Sequence, residues 1–429
     1  MKILQITAGA AAMYCGSCLK DNALATELMA LGHDVILLPF YTPTFTDEKN
    51  VSTRKVFFGG ISVYLQQTMP LFRKLPRFFD KLWDSDFVLR VASRKSIAVG
   101  PQFLGEMTVS VLQGEKGPMA KEFEKLADWL KTEQSLAVIN IPYTLLISLA
   151  PTLRRAVPKA KIVCTVQGED LFLDGLIAPY REQSMSLIKA NLQYVDRFIS
   201  SSQYYKEFMA GYLGIEPSRI TTVPLGIHTI DFPVTARRTS APHKIGFFAR
   251  IAPEKGLHNL CAAYRLLRQN PQAPPTTLEA AGYQLPEHHG YLEGIRKNMR
   301  EWGLENEFTY HGPLDRSHKA TFLSSLDVFS VPTDYHESKG LFLLEAMASG
   351  LPVVQPRHGA FPEMIDTTGG GVLVEPGNPR ALAEALLAML LDREKAQQTG
   401  VKGAAAVREY YTARRMAENT IKTYESIFN

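Results

Sequence analysis

The run Lys2–Thr7 (KILQIT), the loop Gly9–Gly16, the helical spacing of Leu19–Leu31, the stop at Gly32-His33 and a second apolar run, Asp34–Phe40 (DVILLPF), decide the fold. Both apolar runs are too short for buried helices and read as strands. A glycine-bearing loop and a helix between them make a βαβ unit, whose crossover connection sets the two strands parallel. The rhythm returns at Ala137–Ile141, Lys161–Val166, Arg197–Ser200 and Ile220–Val223, and continues to about Leu225. A second series starts at Lys244. Its strands are Ile245–Ala249, Thr277–Ala281, Phe308–His311, Asp327–Val331 and Pro352–Gln355, and its helices include His258–Leu267, Leu292–Trp302, Leu382–Leu391 and Thr399–Tyr410. The expected fold is therefore α/β: two Rossmann-like, doubly wound domains with a deep cleft between them. The expected boundaries are 1–225, with a helical insertion at about 65–130, then 226–411, and a helix over 412–429 that returns to the N-terminal domain. Ligands in such sheets sit at the carboxyl ends of the strands.

A chain of 429 residues exceeds what one core usually supports. Apolar residues make up 45% and charged residues 21%, as in soluble globular chains. The net charge of +4 permits an anionic ligand or a membrane surface and does not call for nucleic acid. MKILQITAGA reads as a strand and a Gly/Ala turn rather than a signal peptide, and no apolar run approaches the ~20 residues that span a bilayer. Four cysteines make no disulfide scaffold in a chain of this length. The expected location is cytoplasmic, with peripheral contact on the inner face of the membrane as an option. That option rests on Met69–Lys95, where aromatic and basic residues share helical spacing, with seven basic and three acidic side chains. A helical insertion with its aromatic face on the core is the plainer reading, and a lipid-surface or acceptor-docking face is the functional one. Pro70 and Pro76 cut the segment into short pieces.

The chemistry concentrates between Val331 and Glu345. Thr333–Gly340 reads as a loop and Leu341–Ala348 (LFLLEAMA) as a helix in which Glu345 is the single polar residue. A buried carboxylate is costly without hydrogen-bond partners. The neighbouring sequence supplies none, so the expected partners are ligand hydroxyls. Glu337 precedes it by eight positions. Gly340 lets a ligand approach the backbone, and the helix that begins there offers N–H groups to an anion. Arg250 and Lys255 fall in a loop at a strand's carboxyl end, just before Gly256. An arginine fork and a lysine point charge suit a diphosphate; the plainer alternative is a solvated loop in which Glu254 partners Lys255. Cys15-Gly16-Ser17-Cys18 admits a redox reading, but ligand-shaping or structural cysteines are expected. Asp84-Ser85-Asp86 sits within the aromatic helical insertion rather than at a strand end, and no metal site is expected.

Arg250 and Lys255, then Glu337…Glu345-Ala-Met-Ala-Ser-Gly-Leu-Pro-Val-Val, then Gly359-Ala-Phe-Pro-Glu363 together closely resemble the retaining glycosyltransferases of glycosyltransferase family 4. Leu31-Gly32-His33-Asp34-Val35, Val223-Pro224-Leu225-Gly226-Ile227 and Gly371–Pro376 match as well, so the resemblance covers nearly all but about residues 45–130. It implies two Rossmann-like domains in the GT-B arrangement and a metal-independent, retaining transfer of a hexosyl unit from a nucleotide-diphosphate sugar to an acceptor hydroxyl. No cofactor is implied beyond that co-substrate, and the acceptor class is a saccharide, a lipid-linked or a small-molecule hydroxyl. By position, Arg250 and Lys255 would hold the diphosphate, Glu337 the transferred sugar and Glu345 the ribose. Backbone N–H groups at Gly340 and Leu341 would assist at the phosphates. Gly16 would approach the donor from the first domain. Arg250, Lys255 and Glu337 form the implied catalytic set. The chain departs from the family pattern at Gln167, where a histidine is common, making Gln167 the acceptor-side candidate. His228 stands where an aspartate is common, and Lys339 where an apolar residue is. Two alternatives remain, a glycogen/starch synthase-like enzyme and a catalytically inactive sugar-nucleotide-binding protein. A nicotinamide dehydrogenase is disfavoured because Gly9–Gly16 lacks the G-x-G-x-x-G spacing.

Overall fold

A computed structural model describes residues 1–9, 16–53, 55–57, 100–133, 135–235 and 241–429. The expectations placed on 69–95, on Cys15 and on Asp84-Ser85-Asp86 lie outside these residues. The first sheet comprises β1 (Lys2–Thr7), β2 (Asp34–Pro39), β3 (Leu136–Ile141), β4 (Lys161–Val166), β5 (Arg197–Ser200) and β6 (Ile220–Thr222). Its order is β2-β1-β3-β4-β5-β6 with every pairing parallel. The second comprises β7 (His243–Phe248), β8 (Thr276–Ala281), β9 (Phe308–Tyr310), β10 (Val328–Phe329), β11 (Val353–Pro356) and β12 (Gly371–Val374). It is likewise parallel, in the order β12-β11-β10-β7-β8-β9. Helices cover both faces of a parallel sheet, which is why the central strands read as unbroken apolar runs instead of alternating ones.

The chain forms two compact units, Met1–Pro224 with Met416–Asn429, and Leu225–Arg415. The closing helix Ala413–Glu425 brings Tyr424 into the first unit, where its buried hydroxyl donates to Gln5 Oε1 on β1 at 3.4 Å. In the second sheet the chain runs outward from β7 through β8 to β9, then returns on the other side through β10 to β12. The loops that follow β7 and β10 thus diverge from neighbouring strands and leave a crevice between them, the place where doubly wound sheets bind ligands. In the first sheet the neighbours of β1 are β2 and β3, so the corresponding crevice lies beyond the ends of β1 and β3.

Strand β10 is shorter than the expected Asp327–Val331, although Asp327 and Ser330 N–H groups also bond the Lys244 and Gly246 carbonyls, at 2.9 and 3.0 Å. Pro332, which has no N–H, follows the run. In the second series three elements went unread in the sequence: β12 and the helices Arg316–Ser324 and Phe361–Thr368. Each is short, and none carries a long periodic signal.

Candidate functional site

Strand β7 delivers Ala249 and Arg250, a single 3₁₀ turn spans Pro253–Lys255, and Gly256 opens the helix Leu257–Arg268. Gly256 has φ +72°, and a Cβ there would lie 1.8 Å from the Pro332 carbonyl oxygen. Only glycine lets the loop after β7 close on the loop after β10. Hydrogen bonds stitch the same two loops: Asp334 N–H donates to the Glu254 carbonyl at 3.1 Å, and Asn259 Nδ2 donates to Asp334 Oδ1 at 2.6 Å. His258 Nε2 lies 3.2 Å from Asp334 Oδ2.

Within this frame Lys255 Nζ meets Glu337 Oε2 at 2.6 Å, and both side chains are largely buried. Glu337 Oε1 also accepts from the Lys339 N–H at 3.2 Å and the Tyr335 hydroxyl at 3.3 Å. Burial works against ionisation of Glu337, but the adjacent Lys255 ammonium outweighs it and brings the carboxyl down to about 2. Glu337 is therefore a fixed carboxylate. The Lys255 ammonium lies 5.2 Å from the centroid of Tyr335 and 5.6 Å from that of Phe342, within cation–π range. Arg250 is exposed and pairs with Glu254. Glu254 thus partners Arg250 rather than Lys255, and the solvated-loop alternative does not describe Lys255.

Gly340, at φ +70°, caps the helix Leu341–Ala348. Leu343 and Leu344 N–H groups bond back to its carbonyl at 3.0 and 3.3 Å. The N–H groups of Leu341 and Phe342 precede those bonds and lie at the positive, N-terminal end of the helix dipole.

Glu345 corrects one expectation. It has a buried partner within the protein, because Lys319 Nζ donates to its Oε1 at 2.7 Å and both residues are nearly fully buried. Lys319 comes from the helix Arg316–Ser324, and its ammonium also lies 5.6 Å from the Phe232 centroid and 5.7 Å from that of Phe248. The partner was invisible near Glu345 because tertiary packing supplies it. A signal did exist: Lys319 stands three and four residues before Phe322 and Leu323, on the apolar face of its helix. His358 is a second residue the sequence reading missed. It is buried, its Nε2 lies 2.9 Å from the Thr333 carbonyl, and its ring stacks on His336 with centroids 4.8 Å apart. Burial pushes its pKa below the ordinary imidazole range.

Arg250, Lys255, Glu337, Gly340, Leu341 and Glu345 all belong to the second unit, on the loops and helix that follow β7 and β10. Gly16 and Gln167 belong to the first. Gly16 is exposed and begins the helix Gly16–Ala30. Gln167 follows β4 with both ends of its amide engaged: Oε1 accepts from Lys20 Nζ at 3.0 Å, and Nε2 donates to the Pro142 carbonyl at 2.7 Å. Its own N–H donates to Glu169 Oε2 at 2.7 Å. Glu169 also accepts from the Thr144 N–H and hydroxyl at 3.1 and 2.9 Å, while burial raises its pKa. Among the described residues, no cluster of three or more His, Cys, Asp or Glu could hold a metal ion, and no helix is long and apolar enough to cross a membrane.

Residues 235–405 match the family model described as "Glycosyl transferases group 1". Over 171 residues the chain is 27% identical to a GDP-mannose-dependent α-(1-6)-phosphatidylinositol monomannoside mannosyltransferase of Mycobacterium tuberculosis, covering 38% of this chain and 42% of that protein. It is 35% identical over 125 residues to a phosphatidyl-myo-inositol mannosyltransferase of Mycobacterium leprae, covering 29% and 33%. It is 29% identical over 204 residues to a glycogen synthase of Mycobacterium tuberculosis, covering 47% of each. The chain thus aligns with less than half the length of each of these relatives. Among solved structures, a sucrose-phosphate synthase from Thermosynechococcus elongatus superposes with a TM-score of 0.70 at 20% identity, covering 100% of this chain and 99% of that one. Anabaena HepE in complex with UDP superposes with a TM-score of 0.68 at 16% identity, covering 99% and 100%. These likenesses show the fold, two Rossmann-like domains of the GT-B class.

Proposed function

We propose that this chain is a retaining glycosyltransferase of the family 4 type. It transfers a hexosyl unit from a nucleotide-diphosphate sugar to a saccharide, lipid-linked or small-molecule hydroxyl, without a metal ion. The carrying observation is the buried Lys255–Glu337 pair beside exposed Arg250 and the mouth of the Leu341–Ala348 helix. A diphosphate laid across this crevice meets the Arg250 fork, the Lys255 ammonium and first-turn N–H groups. Negative charge on the departing diphosphate grows as the glycosidic bond breaks, and preorganised cations stabilise that charge more than they stabilise the ground state. Glu337, fixed as a carboxylate, accepts hydrogen bonds from the transferred sugar, and Glu345 from the ribose. The second unit carries most of the donor site; in the first unit Gly16 is the donor-binding candidate and Gln167 the acceptor-side candidate. Retention with front-face attack by the acceptor hydroxyl follows from the resemblance and from the lack of an assigned enzymic nucleophile.

The test is release of nucleoside diphosphate from UDP-, GDP- and ADP-linked glucose and mannose, with and without EDTA, and the anomeric configuration of the product by NMR. The proposal expects acceptor-dependent release that EDTA leaves unchanged, with the configuration retained. Inversion or EDTA sensitivity would overturn the corresponding part, and tight donor binding without turnover would favour the inactive sugar-nucleotide-binding reading. The glycogen synthase likeness supports a second reading, a glucan synthase-like enzyme, which predicts that glycogen serves as acceptor.

A further inference from the structure

The first unit holds a buried lysine that the proposed chemistry has not used. Lys20 lies on the helix that follows β1, with its residue only 7% exposed. Its ammonium reaches the side chain of Gln167, beyond the end of β4, and the same Gln167 amide donates to the Pro142 carbonyl just past β3. A cation on the helix that follows β1, meeting a group tied to the ends of β3 and β4, stands over the crevice of the first sheet, where ligands bind in such folds. Lysine is seldom buried without several partners. Here the ammonium has three donors and, among the described residues, makes one hydrogen bond, to Gln167 Oε1 at 3.0 Å.

Its charge partner is the next residue. Asp21 Oδ1 lies 3.0 Å from Lys20 Nζ, Asp21 is fully buried, and neither of its oxygens accepts a hydrogen bond among the described residues. The pair is thus electrically balanced but short of hydrogen bonds. Balance decides the ligand. A phosphate would need an uncompensated cation to repay its desolvation. A hydroxyl needs only a donor held in place, and Lys20 has donors to spare.

We propose that Lys20 is a specificity-determining residue of the acceptor subsite in the first unit, donating to a hydroxyl of an uncharged polyol or sugar, with Gln167 and Asp21 as positioning residues. This rests on the glycosyl-transfer reading and reassigns the acceptor contact from Gln167, whose amide is engaged on both atoms, to Lys20. Asp21 makes the subsite selective: it cancels the charge that would draw a phosphorylated acceptor.

The test follows the Gln167 side-chain amide in ¹H–¹⁵N spectra of the full chain, assigned by its loss in Gln167→Met. The chain is titrated with glucose, mannose and myo-inositol, and separately with inorganic phosphate. The expected result is a saturable shift with one or more of the neutral polyols and none with phosphate. Lys20→Met alone leaves Asp21 buried without its cation, so the neutral double variant Lys20→Met/Asp21→Asn is the comparison. It should bind the responding polyol about tenfold more weakly or worse. Asp21→Asn alone should create a phosphate response. A Gln167 signal unmoved by every polyol, as when ordered water fills the site, would overturn the inference. So would a polyol response retained in the double variant, or a phosphate response in the unaltered chain. UDP, GDP and ADP binding measured on the same samples separates this failure from that of the transfer reading: absence of any diphosphate binding removes the latter, whereas intact binding with a silent Gln167 removes only the role of Lys20.

Discussion

Glu337 couples ionisation to folding through one ammonium at 2.6 Å. Its carboxyl falls from 4.5 to about 2 in the folded chain. A carboxyl depressed in this way contributes stability that is fully present above its unfolded value and is lost as pH falls through the folded one. The contribution therefore holds from neutrality to about pH 4.5 and declines toward pH 2. Lys255→Met leaves a buried carboxylate without its main partner and should cost about 3–5 kcal/mol at pH 7. Burial then raises the carboxyl, so protonation relieves the variant, and the stability gap to the unaltered chain should shrink as pH falls below neutrality. Urea unfolding at pH 7, 5.5 and 4.5 checks this; a constant gap would show that Lys255 does not hold Glu337. At this scale the sequence was legible where chemistry clusters in short windows, as for Arg250 with Lys255 and Glu337 with Gly340. It was not legible for Lys319, which reaches Glu345 from another helix, nor for the exchange by which Glu254 pairs with Arg250.

Between elements, two glycines permit close approaches beside the crevice in different ways. Gly256 abuts the Pro332 backbone, whereas a Cβ at Gly340 would meet the Met364 sulfur at 2.9 Å, the far end of a flexible side chain. Both need positive φ, which costs an L-residue about 1–2 kcal/mol. Gly340→Ala should therefore lose about 1–2 kcal/mol, and Gly256→Ala clearly more, because backbone cannot step aside. Equal losses in chemical denaturation would deny the close approach of the two loops. The Arg316–Ser324 and Leu341–Ala348 helices are joined by the buried Lys319–Glu345 pair. Lys319→Met should cost about 3–5 kcal/mol, and adding Glu345→Gln should restore much of it, since the expense lies in the stranded charge. A double variant no better than the single one would assign Lys319 a packing role alone. The βαβ rhythm was readable because buried parallel strands leave continuous apolar runs. Strand β12 (GVLV), whose residues are only half-buried, offers an apolar run of just three residues, Val372 to Val374, too short to mark a strand.

Across the whole molecule, the chain is two Rossmann-like units, and its last residues, Met416–Asn429, belong to the first of them. Removing residues 416–429 strips Tyr424 and its neighbours from the β1 side of that unit. Amide exchange should then accelerate in β1 to β6 while β7 to β12 keep their protection; uniform acceleration would contradict the assignment of that segment. The doubly wound plan was legible from strand and helix spacing, and the grouping of Arg250 with Lys255 and of Glu337 with Gly340 from their short spacing. The Lys20–Gln167–Pro142 contact was not, because those residues come together only once the ends of β3 and β4 and the helix after β1 are aligned.

The central claim is that the second unit binds a nucleoside diphosphate through Arg250 and Lys255, and calorimetric titration with UDP, GDP and ADP tests it most directly. Arg250→Ala is the right control because Arg250 is exposed and its loss leaves no buried charge, unlike changes at Glu345. The account predicts saturable binding of at least one diphosphate, weakened about tenfold or more in Arg250→Ala. Failure of all three to bind the unaltered chain, or equal binding by the folded variant, would contradict it.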